Sequence, residues 1–158
     1  MPVTLSDMQI DLLLNERKQL PDDYRSRIQM KPRRGHRERE LSVTGFAKSE
    51  FVLILRESNF NPLDFSIILG CQPAGYHTLF RLCRYNGKSH EHTNKIEGQT
   101  FYDFHRHTAT ERYQASGFRE DGFAEPTDRF QDFAGALRCM FEDCAFSLPI
   151  GEHPELGL

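Results

Sequence analysis

Five of the seven histidines lie between positions 77 and 107: His77, His90, His92, His105 and His107. The pairs His90/His92 and His105/His107 are spaced i, i+2, which puts both rings of a pair on one side of an extended strand. Imidazole titrates near neutral pH, so such a pair can work as acid and base or as neutral metal ligands. Cleavage of RNA through its 2′-hydroxyl needs a base, an acid and a cation close to the scissile phosphate. His90, His92, His105 and His107 supply the first two, with Glu111 behind the second pair. Arg81, Lys88 or Arg112 supplies the third. Residues 25–39 carry seven Lys/Arg against the single acid Glu38, and Lys31, Arg33, Arg34 and Arg37, with Lys88 and Arg112, can hold a phosphate backbone. These residues predict a metal-independent ribonuclease that needs no cofactor.

The same residues allow a metal site from His90, His92 and either Glu97 or His107. The H-x-H-x(3,4)-E spacing, with Glu97 after the first pair and Glu111 after the second, resembles the metal motif of cupin barrels. It departs from that motif in its misplaced flanking glycines and in having no second motif. The plainest alternative is that the rings only hydrogen-bond to neighbours such as Glu91, Asp103 or Glu111. Cys71, Cys83, Cys139 and Cys144 form no C-x-x-C pair and read as reduced, buried thiols, not zinc ligands. In the register below, Cys83 would face the histidines as a Cys–His pair.

The elements that must position these groups have clear local signals. Ser6 and Gln9 make a capping box for a first helix, with Leu5 stapled onto Ile10 and with Ile10, Leu13 and Leu14 as its apolar stripe; Pro21 closes the segment. Strands are predicted over 40–44, 51–56 and 63–69. Asn86-Gly87 reads as a type I′ turn joining strands 77–85 and 88–94. That turn would pair Tyr85 with Lys88, Cys83 with His90 and Arg81 with His92, and turn Phe80 and Leu82 to the core. Residues 100–108 predict another strand, and 109–115 either continue it or turn helical. A last helix is predicted after Pro126, capped by Thr127, with Phe130, Phe133, Leu137, Met140 and Phe141 on its core face.

The chain has 158 residues, 38% hydrophobic and 27% charged, which predicts one globular domain spanning 1–158. Thirteen Phe and no Trp predict an aromatic-rich core. No apolar run reaches the roughly 20 residues needed to cross a bilayer, and residues 1–11 lack an export signal, so no membrane partner and a cytoplasmic location are expected. The net charge of −3 is uneven, basic over 25–39 and acidic over 120–158. Such asymmetry suits an encounter with RNA or DNA, or with an oppositely charged protein. The segments NPLDFSIILG, TLFRLCRYNGKSHEHTN and TFYDFHRHTATERYQ resemble small uncharacterised proteins of bacteria and their prophages. That resemblance covers most of the chain and implies a bacterial cytoplasmic, mobile-element or defence context, with no established activity.

The expected fold is α+β: a twisted antiparallel sheet of about five to seven strands flanked by an N-terminal and a C-terminal helix. The leading expectation for function is a nucleic-acid-directed ribonuclease of toxin or defence type. A non-enzymatic adaptor or inhibitor acting on a protein partner and a histidine-ligated metalloprotein are the alternatives.

Overall fold

A computed structural model describes residues 4–75 and 77–149. The last acidic residues of the C-terminal segment, Glu152 and Glu155, and residues 1–3 of the segment read for an export signal lie outside the described residues. In chain order the elements are α1 (Asp7–Asn15), β1 (Lys18–Gln19), α2 (Tyr24–Arg27), β2 (Lys31–Pro32), β3 (His36–Thr44), β4 (Glu50–Ser58), β5 (Phe65–Cys71) and β6 (Phe80–Asn86). There follow β7 (His92–Thr93), β8 (Thr100–Phe101), β9 (His105–Thr108), α3 (Glu111–Ala115), β10 (Ala124–Pro126), α4 (Phe133–Asp143) and β11 (Phe146–Ser147). Seven strands form an open antiparallel sheet in the order β10-β9-β6-β5-β4-β3-β2, flanked by α1 and α4. The fold is therefore α+β, and the open sheet is unlike a cupin barrel. Among the described residues no helix is long and apolar enough to cross a membrane.

One face of the sheet carries the core. Val43, Phe51, Leu53, Leu55, Phe65, Ile67, Leu69 and Tyr85 are all buried, and the strand registers stack them as cross-strand neighbours. The helix α4 lies on this face: Tyr85 donates to Asp143 at 2.5 Å, and the Cys83 and Cys144 sulfurs are 3.6 Å apart. Phe65 sits among Phe104, Phe130 and Phe133 with ring centroids about 6 Å apart, the aromatic core that the composition predicts. The capping box at Ser6 and Gln9 is present as read. The last helix starts later than predicted, because Asp132 and not Thr127 caps it: its carboxylate accepts from Gly135 N–H at 2.7 Å. The short Lys18–Gln19 strand ties the end of α1 to the end of α4 by pairing with Phe146–Ser147. There the wholly buried Lys18 ammonium is held by the carbonyls of Leu13, Leu14, Glu16 and Cys144.

The expected hairpin at Asn86-Gly87 does not form. Asn86 stays in strand β6, and Gly87 N–H donates to Phe65 C=O, extending the β5–β6 ladder past the predicted turn. Gly87 has no positive φ; a Cβ there would lie 2.0 Å from the Leu63 carbonyl oxygen. Glycine is needed at this position for close backbone approach, not for a left-handed turn. The chain then leaves the sheet, makes the separate β7–β8 ribbon, and returns as β9 to pair with β6. Hence Cys83, Arg81 and Tyr85 do not pair with His90, His92 and Lys88. Thr100–Thr108 is not one strand either, since Thr100–Phe101 belongs to the ribbon and His105–Thr108 to the sheet.

Candidate metal centre

The β6–β9 register sets Arg84 opposite His107 and Asn86 opposite His105, so these four side chains share the sheet face turned away from α4. The ribbon folds back over that face and delivers His92. Its ring stacks on His105 with centroids 5.4 Å apart and 19° between planes, and meets His107 edge-on at 4.8 Å. His105 and His107 are themselves 5.0 Å apart. One ligand nitrogen from each of His92, His105 and His107 lies within 4.8 Å of the other two, and among the described residues these form the one cluster suited to a metal ion.

Hydrogen bonds fix which nitrogen of each ring carries its proton. His105 Nδ1–H donates to the Asp103 carbonyl at 2.8 Å, and His107 Nδ1–H donates to the Asp121 carbonyl at 2.7 Å. A carbonyl can only accept, so Nε2 of both rings keeps its lone pair. For His92 the partner is Asn94 Oδ1, 2.8 Å from Nε2. That amide is locked, because Oδ1 also accepts from Ala124 N–H and Nδ2 donates to the Ala124 carbonyl, both at 2.8 Å. His92 must therefore donate from Nε2 and keep the lone pair on Nδ1. His105 and His107 thus donate Nδ1–H to carbonyls and His92 donates Nε2–H to an amide oxygen, the arrangement that orients metal-bound histidines. Asn86 Nδ2, 3.4 Å from His105 Nε2, would have to yield that nitrogen to an ion. Burial reinforces it. Loss of hydration, followed by the nearby positive charge of Arg84, pushes His107 down to about 2, and desolvation holds His105 at about 4.

The rings open into a cleft of about 330 Å³ that Arg84, Asn86, Lys95, Phe118 and Arg119 also line. Behind its wall lies Asp121, fully buried, with Arg84 and Arg119 guanidinium nitrogens each 3.4 Å from one of its oxygens. Neither carboxylate oxygen makes a hydrogen bond, and Arg84 Nε and Asn86 Oδ1 are likewise buried without one.

Of the residues singled out in the sequence, the structure brings together His92, His105 and His107. His90 lines the same cleft but is exposed and bonded to Ser89 Oγ at 3.0 Å. Arg81 sits at a bulge of β6, where its backbone N–H donates to Glu120 Oε2 at 3.0 Å. Glu111 starts α3, and its backbone N–H bonds to Asp7 Oδ1 at 2.8 Å. Glu97 is engaged by Arg112 at 2.5 Å and by Tyr113 at 2.6 Å and lies outside the cluster, which contains His107, the other third residue expected, and has His105 where His90 was expected. Lys88 lies over the Tyr102 ring at 6.0 Å. Cys83 points to the opposite face, toward Cys144, so no Cys–His pair forms. Lys31, Arg33, Arg34 and Arg37 lie on or beside β2 and β3, at the other edge of the sheet. There Arg33 pairs with Glu38 at 3.2 Å and Arg37 with Glu57 at 2.6 Å.

Sequence reasoning missed Arg84, Asn86, Asn94, Arg119 and Asp121. The one signal that could have found the first two was the alternation Arg84-Tyr85-Asn86, had Asn86-Gly87 been kept within the strand.

Comparison with curated proteins finds no match, and neither does comparison with solved structures. The match that is found covers residues 5–144, from the start of α1 to the end of α4 and including the whole histidine cluster, and it shows that the chain belongs to a family of unknown function, DUF6978.

Proposed function

We propose that this domain holds one divalent transition-metal ion, of the Zn²⁺ class, on His92, His105 and His107 and uses it for hydrolytic chemistry. The observation that carries this is the convergence of three imidazoles, one nitrogen of each within 4.8 Å of the other two, on rings that each also bond to an oxygen acceptor through a nitrogen-to-oxygen contact of 2.7–2.8 Å. Three imidazoles without a carboxylate suit Zn²⁺. Bonds of about 2.0–2.1 Å in a tetrahedral site would put ligand nitrogens roughly 3.3 Å apart, so rings whose nitrogens lie within 4.8 Å of one another would have to close in on an ion. His92, His105 and His107 line the cleft, so an ion they held would be reachable by water or substrate, as in catalytic and not structural zinc sites. The ion supplies Lewis acidity and a water acidic enough to lose a proton near neutral pH.

A metal-free ribonuclease working through the same rings is less well supported. A general acid or base works best with a pKa near the working pH, and burial holds His105 and His107 far below neutrality. The basic stretch that would hold RNA comes no nearer than β3, four strand steps away, about 19 Å at ~4.8 Å per step.

The test is Co²⁺ titration of the chelator-treated protein, followed by its visible ligand-field bands, with Zn²⁺ competition for affinity. One equivalent is expected to bind. His105→Ala and His107→Ala are each expected to weaken it by about 100-fold, at the upper end of what even outer-sphere changes produce. His90→Ala is expected to leave it unchanged. Absence of the bands from wild type, or equal binding by all four proteins, removes the metal centre.

A further inference from the structure

We infer that the cleft beside the three imidazoles is an oxyanion subsite whose ligand is the phosphoryl group of a small phosphate ester, gripped by Arg84 from the wall and by Arg119 and Lys95 from the rim. This deepens the metal reading and rests on it for the hydrolytic role, while the binding claim stands on the cleft's own charges.

Three cations line the cleft and, among the described residues, no carboxylate does. The acid behind the wall, Asp121, balances one of the two guanidiniums that flank it. Of the other nearby acids, Glu97 is engaged by Arg112 and Tyr113, and Glu120, whose charge also acts on Arg84, is matched by Arg81. Two positive charges therefore remain uncompensated in a concave, partly desolvated site before any metal is counted. Buried or cleft-bound charge of one sign concentrates ligands of the other. Asp121 also restrains Arg84, whose side chain is only 18% exposed, so little motion is left to lose when an anion arrives.

The donor count selects among anions. Arg84 lines the wall, and Arg119 and Lys95 present further N–H groups at the rim. A carboxylate has two oxygens to offer, whereas a phosphoryl group has three, enough to meet both guanidiniums and an ion on the imidazoles together. The volume of about 330 Å³ stands at the lower end of small-ligand sites and suits a compact ester. Phe118, 38% exposed on the rim, offers an apolar wall for the ester's organic part. In the hydrolysis that follows, the water oxygen forms a bond to phosphorus and the P–O bond to the ester oxygen breaks. The electron pair leaves on that oxygen, which takes a proton from solvent, and no oxidant or reductant is needed.

The experiment is calorimetric titration of inorganic phosphate, with acetate and a short single-stranded RNA as comparison ligands, into metal-free and Zn²⁺-loaded protein. The same titrations are run on the double variant Arg119→Ala/Lys95→Ala, whose positions are exposed enough to change without unfolding the chain, as circular dichroism would verify. Phosphate is expected to bind one per chain in both forms, more tightly with Zn²⁺, at least about tenfold more tightly than acetate. The double variant is expected to weaken it by about tenfold or more in both forms. Phosphate binding that is absent, matched by acetate or indifferent to the double variant overturns the subsite, as does variant-sensitive binding of RNA alone. The two claims fail separately. Protein that binds no Co²⁺ but still binds phosphate through Arg119 and Lys95 loses the metal centre and keeps the subsite; protein with Co²⁺ bands and no phosphate binding does the reverse.

Discussion

At the residue scale, burial keeps His105 and His107 uncharged, and that has a consequence for stability. His105 and His107 are 2% and 3% exposed. Their folded-state pKa values, about 4 and about 2, lie below the 6.5 of an exposed imidazole. Between those values and 6.5 the unfolded chain binds more protons than the folded one, so stability rises with pH across the window and is lost as pH falls through 6.5. For the chelator-treated protein we expect the unfolding free energy to drop by about 2 kcal/mol per ring on going from pH 6.5 to pH 5. Urea denaturation at the two pH values checks this. His105→Gln should flatten part of the dependence, and an unchanged midpoint in wild type would contradict the burial of these rings. The i, i+2 spacing made the pairing of His105 with His107 legible, because side-chain alternation is a local property of strands. The convergence of His92 was not legible, because it depends on a ribbon crossing back over the sheet. Nor was the role of Asn94, whose amide is oriented by Ala124, 30 positions away.

At the element scale, the informative discrepancy is Asn86-Gly87. The dipeptide is a strong short-range hairpin signal because Asn and Gly tolerate φ > 0. Here the glycine serves a different need: β6 must continue past Asn86 so that both its edges can pair, with β5 on one side and β9 on the other. Its backbone runs against Leu63, where a Cβ would meet the carbonyl oxygen at 2.0 Å. A Gly→Ala change in a left-handed turn costs about 1 kcal/mol through backbone strain. In this site, where backbone must move, Gly87→Ala is expected to cost about 2 kcal/mol or more. It should also shift Asn86, whose Nδ2 contacts His105 Nε2, so that Co²⁺ affinity changes in the folded fraction. Thermal unfolding and Co²⁺ titration of this one variant read both effects; a loss below 1 kcal/mol with unchanged Co²⁺ affinity would favour the turn. Elements whose signals are local, such as the α1 capping box and the β-branched runs of β4 and β5, were read correctly within a few residues. Those that depend on which strand pairs with which were not.

At the scale of the whole molecule, the sheet keeps two charged regions apart. The basic stretch ends at β2 and β3 on one edge, while the imidazoles and their cleft lie at β9 near the other. The α+β class and approximate strand number were legible, since both follow from patterning along the chain. The separation was not, because sheet order is set by the long-range return of β9 to β6. Distance and screening decide what it means. At 0.1 M salt the Debye length is about 10 Å, half the roughly 19 Å across the strands. Moreover, Arg33 and Arg37 already face Glu38 and Glu57. Removing the charges with Arg33→Ala/Arg34→Ala/Arg37→Ala should therefore change phosphate affinity in the cleft by less than about twofold at 0.1 M salt. At 0.01 M, where the screening length grows to about 30 Å, a modest weakening should emerge as the far edge begins to contribute to the field. Arg119→Ala, acting at contact distance, should weaken phosphate at both salt concentrations. Titrating phosphate into the two variants side by side distinguishes a self-contained site from one that shares its ligand with the basic edge. Equal losses in both variants at 0.1 M would mean that phosphate is held at the basic edge as much as in the cleft, and that the cleft is not a self-contained site.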